Sequence, residues 1–245
     1  MGIDWHIETH ETVRSTQELL KEMARMNEPE GKVVHAFEQS KGHGRHGRPW
    51  VSEKGNLYLS FLLRPDCQAQ RITQFSLLTA NALAETILSF IDEPEKLMLK
   101  WPNDVFLDGQ KCAGILLETE IAACGAVRWL VVGVGVNIHN PPLDIGVGVQ
   151  NFTKQSVDLL AFRDSFLKNM ANAYSDWNTE PFDSIRQKWL SKAHKPGTPM
   201  KIKIGTQIEQ GIFHDLDKEG NLMLQDGQQR IKTVSAGEVH FLTQE

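Results

Sequence analysis

The chain has 245 residues, 40% hydrophobic and 23% charged, a globular composition with room for one large domain or a large domain plus a small one. A net charge of −5 argues against a general nucleic-acid binder, which is basic. Cys67, Cys112 and Cys124 lie too far apart for a disulfide framework or a zinc motif, and neither a secretory leader nor a membrane-length apolar run is visible, so the expectation is a cytoplasmic protein with no membrane partner.

In chain order, residues 7–13 read as a short strand. Ser15 and Glu18 then form a capping box for a helix with Leu19, Leu20, Met23 and Met26 at helical spacing. Residues 32–39 and 56–63 read as strands, and residues 71–91 as a helix with Ile72, Phe75, Leu78, Leu83 and Ile87 on one side. Four strand-like segments follow at 97–101, 105–107, 111–121 and 127–138, in the manner of a mostly antiparallel meander. Residues 139–155 read as a loop, and 156–177 and 182–192 as two helices. After Pro196-Gly197 come five short strands at 200–204, 207–213, 221–225, 229–234 and 238–242, separated by turn signals such as Asp226-Gly227. Strands this short and this regularly spaced predict a small barrel packed on the first domain.

Residues 38–50, EQSKGHGRHGRPW, contain Gly42-x-Gly44-x-x-Gly47, the letters of a dinucleotide-binding fingerprint. That fingerprint needs a helix behind it, whereas here Pro49, a polar turn and another strand follow. The stretch instead offers a flexible backbone, Arg45 and Arg48, suited to surrounding an anion. A second cluster is LKWPNDVFLDGQKCAGILLE, residues 99–118. Its Asn103 can offer an amide to a polar ligand, Asp104 an oxygen to magnesium, and Lys111 a point charge to a phosphate or oxyanion. A third, GVGVNI at 133–138, puts Gly133 and Gly135 in an apolar strand, where glycine marks either a bulge or a close approach.

Taken together, Gln39-x-x-Gly42-x-Gly44-Arg45-x-Gly47-Arg48-x-Trp50, Lys100-Trp101-Pro102-Asn103-Asp104, Lys111-x-x-Gly114-Ile115-Leu116 and Gly133-x-Gly135-x-Asn137 resemble the ordered motifs of the biotin protein ligases. The upstream Ser15-Thr16 and the C-terminal strands fit the same pattern, so the resemblance covers nearly the whole chain. It implies an α+β fold: a class II synthetase-like, mixed or antiparallel sheet with helices, plus a small SH3-like β-barrel. The expected division is a catalytic domain over 1–195 and the barrel over 196–245.

The implied activity is ATP-dependent formation of biotinyl-5′-AMP, followed by transfer of biotin to a lysine of a biotin carboxyl carrier protein of acetyl-CoA carboxylase or another biotin-dependent carboxylase. Carried over by resemblance, Ser15, Thr16, Gln39, Gly114, Leu116, Gly133 and Gly135 line the biotin site. Lys111 contacts the carboxylate and phosphate and is catalytic, together with Arg45. The loop carrying Gly42, His43, Gly44, Arg45 and Arg48 folds over the adenylate. Trp50, Asn103 and Asn137 attend the adenine, and Asp104 holds Mg²⁺. Gln17 and His43 stand where the family usually has Asn and Arg, so Gln17 receives no contact here. Many bacterial members carry an N-terminal winged helix. With the first strand beginning near residue 7, the expectation is a monofunctional ligase that binds no DNA, as a monomer or weak homodimer. The alternatives are a lipoate-type ligase on the same fold, whose RRxxGGGxVxH motif is absent, a non-catalytic biotin-binding protein, and an interaction module.

Overall fold

The alternating N-terminal stretch forms β1 (His6–Val13), and helix α1 (Thr16–Arg25) carries the chain back to a parallel partner, β2 (Lys32–Gln39). Parallel neighbours need such a crossover. The Ser15 hydroxyl accepts the Glu18 amide at 3.4 Å, as the capping pattern predicts. The carboxylate of Glu18 turns instead to Arg14, at 3.1 Å. These features belong to a computed structural model that describes residues 2–141, 146–235 and 237–241. Residues 142–145 of the expected loop and residue 242 of the last expected strand lie outside the described residues.

Beyond β2 every pairing is antiparallel. Strands β3 (Leu57–Leu63), β4 (Leu97–Lys100), β5 (Asp104–Leu107), β6 (Gln110–Ile121) and β7 (Val127–Val136) complete a seven-stranded mixed sheet in the order β1-β2-β3-β7-β6-β5-β4. All seven residues of β3 are buried, which is why its sequence is a continuous apolar run rather than an alternation.

On one face of the sheet, Leu20 and Ala24 of α1 pack with Val34, Leu62, Trp129 and Val131. The other face packs Leu59, Phe61, Val132 and Val134 against α2 (Ile72–Leu88) and α3 (Leu159–Thr179), through Phe75, Leu78, Phe166 and Met170. Thirteen of the seventeen residues of α2 are buried, so this helix is a central core element rather than an amphipathic cover. Helix α4 (Phe182–Leu190) closes that layer with Trp189 fully inside.

The C-terminal strands β8 (Pro199–Ile204), β9 (Gln207–Leu216), β10 (Leu222–Gln225), β11 (Ile231–Val234) and β12 (Glu238–Phe241) form an antiparallel sheet ordered β11-β10-β9-β8-β12. Its apolar residues Met200, Ile202, Phe213, Leu224 and Val239 are continuous with the main core. Directional contacts fix its orientation. Trp101 Nε1 donates to the Gly220 carbonyl (3.1 Å), Gln74 Nε2 to the Lys218 carbonyl (2.8 Å), and Arg186 to Asp215 (2.6 Å). The β9–β10 turn is therefore held against α2 and the end of β4.

Candidate active site

The cavity begins as a dip in the main sheet. Directly opposed residues of antiparallel strands share a face. Two rows therefore cross β3, β7 and β6 on the α1 side: Ser60–Gly133–Leu116 and Tyr58–Gly135–Gly114. Three of these six positions are glycine, which lowers the sheet surface beyond the N-terminus of α1. A Cβ on Gly133 would lie 2.5 Å from Gln17 Oε1. One on Gly135 would lie 2.6 Å from the Trp50 indole, and one on Gly114 3.0 Å from it. The glycines are thus sites of close approach by side chains on other elements, rather than bulges.

Residues 42–50 form the cover. They fold back as a short hairpin: the Trp50 amide donates to the Gly42 carbonyl (2.9 Å) and the Gly44 amide to the Arg48 carbonyl (2.8 Å). At its tip, a single 3-10 turn (Arg45–Gly47) places His46 at φ 57° and Gly47 at φ 71°. No α-helix follows this turn, and the next strand is β3, so the dinucleotide fingerprint lacks its structural context.

The space enclosed is about 350 Å³, of the size that takes a small organic ligand. Its closed end is polar but uncharged. Gln39 Oε1 accepts the Thr16 amide at 2.9 Å, and Gln39 Nε2 donates to Ser52 Oγ at 3.0 Å. Thr16 Oγ1 and Ser60 Oγ are 2.9 Å apart, and Ser60 donates to Gln17 Oε1 at 3.0 Å.

Its other end is ionic. Among the described residues, Arg45, Arg48, Lys100 and Lys111 face two carboxylates on the wall, Asp104 and Glu238. Lys111 Nζ pairs with Asp104 Oδ1 at 2.6 Å and lies 5.3 Å from the Trp50 ring centre. Arg45 Nη1 donates to Asn103 Oδ1 (3.3 Å) and to the Gly237 carbonyl (3.1 Å). Arg48 grips Glu238 with two hydrogen bonds of 2.6 Å. Burial pulls Lys100 and Arg45 below their usual values, with Asp104 opposing in both, and the Glu238 bonds raise Arg48. An excess of cations within an acidic chain marks a site for a multiply charged anion.

Of the residues assigned to the site from the sequence, the structure brings all but Gly42 and Asn137 to the wall of this cavity; Gly47 of the glycine motif also lies off it. Gly42 lies where the hairpin strands cross, and a Cβ there would be 2.5 Å from Ser52 Oγ. Asn137 is buried behind Lys111, its amide nitrogen 3.5 Å from that residue's carbonyl. The wall also holds Gln17, Ser60, Lys100 and Glu238, to none of which the sequence assigned a contact. Position 17 adjoins the Ser-Thr pair and Lys100 opens its own motif, so both had a sequence signal. Ser60, inside an apolar strand, and Glu238, some 190 residues from its partner, had none.

Comparison with known proteins supplies the family. The model of the Biotin/lipoate A/B protein ligase family matches residues 9–137, and that of the Biotin protein ligase C terminal domain matches residues 197–242. The biotin--[acetyl-CoA-carboxylase] ligase of Paracoccus denitrificans is 37% identical over 221 residues, 85% of this chain and 89% of that protein. The bifunctional ligase/repressor BirA of Bacillus subtilis is 32% identical over 241 residues, 94% of this chain and 73% of that protein. A solved biotin protein ligase from Aquifex aeolicus, in complex with biotin and ATP, has a TM-score of 0.80 at 27% identity, covering 96% of this chain and 97% of that one. The chain belongs to the Biotin/lipoate A/B protein ligase family, on its biotin protein ligase branch. The C-terminal sheet is the SH3-like domain of these enzymes.

Proposed function

We propose that this chain is an ATP-dependent biotin protein ligase whose two half-reactions both take place in the cavity under the 42–50 hairpin. The observation that carries the reading is the polarity of that cavity: uncharged hydrogen-bonding groups at the closed end, four cations against two carboxylates at the other. Biotin, with a neutral urea ring at one end and a carboxylate at the other, matches this order. ATP brings the anion that the cationic end calls for.

In the first half-reaction a biotin carboxylate oxygen attacks the α-phosphorus of ATP. The bond to the bridging oxygen breaks, and pyrophosphate leaves with the electron pair. Lys111 reaches the point where carboxylate and phosphate meet, Arg45 adds charge from above, and Trp50 offers its ring face to the adenine. In the second, the ε-amine of the acceptor lysine attacks the mixed anhydride carbonyl, and AMP departs. The nucleophiles come from the substrates, so the protein supplies position and countercharge, which are worth most where water is excluded.

Asp104 fits a magnesium ion, since Mg²⁺ is held through one or two carboxylates together with substrate phosphates. When bound, the ion supplies further countercharge to the triphosphate. The acceptor in this reading is the biotin carboxyl carrier domain of a carboxylase; the names of the Paracoccus relative and of the Mycobacterium tuberculosis ligase give acetyl-CoA carboxylase as the target of those proteins.

The test is incubation with labelled biotin, ATP–Mg²⁺ and a carrier domain. Label is expected on the carrier only when ATP is present, and none on a carrier whose acceptor lysine is replaced by arginine. Octanoate or lipoate transferred in preference to biotin would overturn the assignment.

A further inference from the structure

At the closed end of the cavity the direction of each hydrogen bond can be worked out from the atoms involved. Gln17 Nε2 lies 3.2 Å from the Val131 carbonyl, which can only accept, so the amide nitrogen faces Val131 and the amide oxygen faces Ser60. That oxygen cannot donate either. The single hydroxyl proton of Ser60 is therefore committed to Gln17, at 3.0 Å. Thr16 Oγ1, 2.9 Å from Ser60 Oγ, cannot receive that proton and must donate its own. Its other acceptor among the described residues, Gln39 Oε1 at 3.2 Å, draws the proton the same way, into the protein. In both arrangements the Thr16 oxygen presents lone pairs, and no proton, to the cavity.

We propose that Gln17 is a specificity-determining positioning residue, which acts through Ser60 to make Thr16 a pure acceptor for a ligand N–H. The inference rests on the reading of biotin as the ligand, whose urea ring carries N–H donors at the end opposite its carboxylate. Without the Gln17 amide, the Ser60 proton is free to turn to Thr16. It then occupies a Thr16 lone pair, and the Thr16 proton competes for the ligand's place. Gly133 is part of the same device, because any side chain there meets Gln17 Oε1 at 2.5 Å. All three polar residues of the relay are buried, so water cannot readily reset these directions.

The experiment compares two ligands by calorimetry: biotin, and an analogue whose urea N–H groups are replaced by ring oxygens. Gln17→Met should weaken biotin roughly tenfold, the worth of one buried hydrogen bond, and change the analogue by at most about twofold. Adding Ser60→Ala removes the misdirected proton, so the double variant Q17M/S60A should recover most of the lost biotin affinity. A merely structural role for Gln17 predicts the opposite, equal losses for both ligands and a further loss in the double variant, and either result overturns the proposal. If Q17M does not fold, Gln17→Leu with and without Ser60→Ala provides the same contrast: loss confined to biotin and recovered in the double variant supports the relay, and equal loss for both ligands refutes it. Failure of the wild type to bind biotin would instead refute the functional reading, and this proposal with it.

Discussion

Lys111 carries the sharpest expectation at the scale of single residues. Its ammonium sits 2.6 Å from Asp104 and over the Trp50 ring, at the junction of the neutral and ionic ends of the cavity. On the proposed mechanism, Lys111→Ala removes countercharge from the reacting carboxylate while leaving the core untouched. Biotin-dependent ATP–pyrophosphate exchange is expected to fall by roughly 10²–10³, the typical cost of one preorganised donor, with an unchanged circular-dichroism spectrum. Undiminished exchange would transfer the role to Lys100. Arg45 is expected to behave differently. It lies on the cavity wall, bound to Asn103 and Gly237, a position from which the proposed mechanism has it retain the intermediate as well as activate it. Arg45→Gly should still form adenylate but release it faster, by roughly tenfold or more for lost charge-assisted bonds. The reporter is biotinylation of a bystander protein with no carrier domain. No increase over wild type would show that Arg45 is not the latch.

The informative element is the 42–50 hairpin. From the sequence, three glycines among cations without an apolar anchor predict a mobile loop that orders over the intermediate. In the structure it is already folded back on itself, its base closed by the Gly42–Trp50 hydrogen bond and its tip tied to β12 through the Arg48–Glu238 pair. The pair is half exposed, so its own contribution to stability is small. Its leverage is local, because it shares the tip with the bonds of Arg45 to Asn103 and Gly237. Glu238→Gln should therefore speed amide exchange at Gly44 and Trp50 without lowering the melting temperature appreciably. Exchange rates equal to wild type would mean that the backbone bonds, with those of Arg45, keep the hairpin shut without the Arg48–Glu238 pair. Its glycines and arginines were legible because they form a dense local motif. The clamp was not, because it joins residues 48 and 238, and nothing in either neighbourhood points to the other.

At the scale of the whole molecule, acid stability follows from histidines enclosed by the fold. Burial, reinforced by Arg163, holds His35 at about 4, and burial with Lys100 nearby holds His194 at about 4 as well. In the unfolded chain both titrate near 6.5. Between those values the unfolded state binds more protons than the folded one. Stability is therefore complete above pH 6.5 and is lost progressively as pH falls toward 4. Among the described residues, neither ring nitrogen of His35 has a hydrogen-bond partner, although the side chain is fully buried between the sheet and α3. His35→Leu should accordingly raise the melting temperature at pH 7 and flatten its decline between pH 6.5 and 4.5. A melting curve that shifts equally at both pH values would assign the acid sensitivity to His194 or to the carboxylates.

The order of strands and helices, the SH3-like C-terminal segment and the family were all present in the one-dimensional pattern, because each depends on local signals: apolar periodicity, caps, turn residues and short motifs read in register. So was most of the cavity wall, since Gly133, Gly135, Gly114, Lys111 and Arg45 lie within those motifs. What only the tertiary structure decided was which atoms meet. Strand register set Gly133 beside Ser60 and thereby opened the space for Gln17, and the packing of β12 brought Glu238 to Arg48. Position 17 illustrates the difference. In the sequence it is a glutamine where the family usually has asparagine, with no contact to assign. In the fold, two carbonyl oxygens that can only accept, one from the main chain and one its own, give it control over the direction of a buried proton. Such directions depend on distances of about 3 Å between residues far apart in the chain, and no local pattern encodes them.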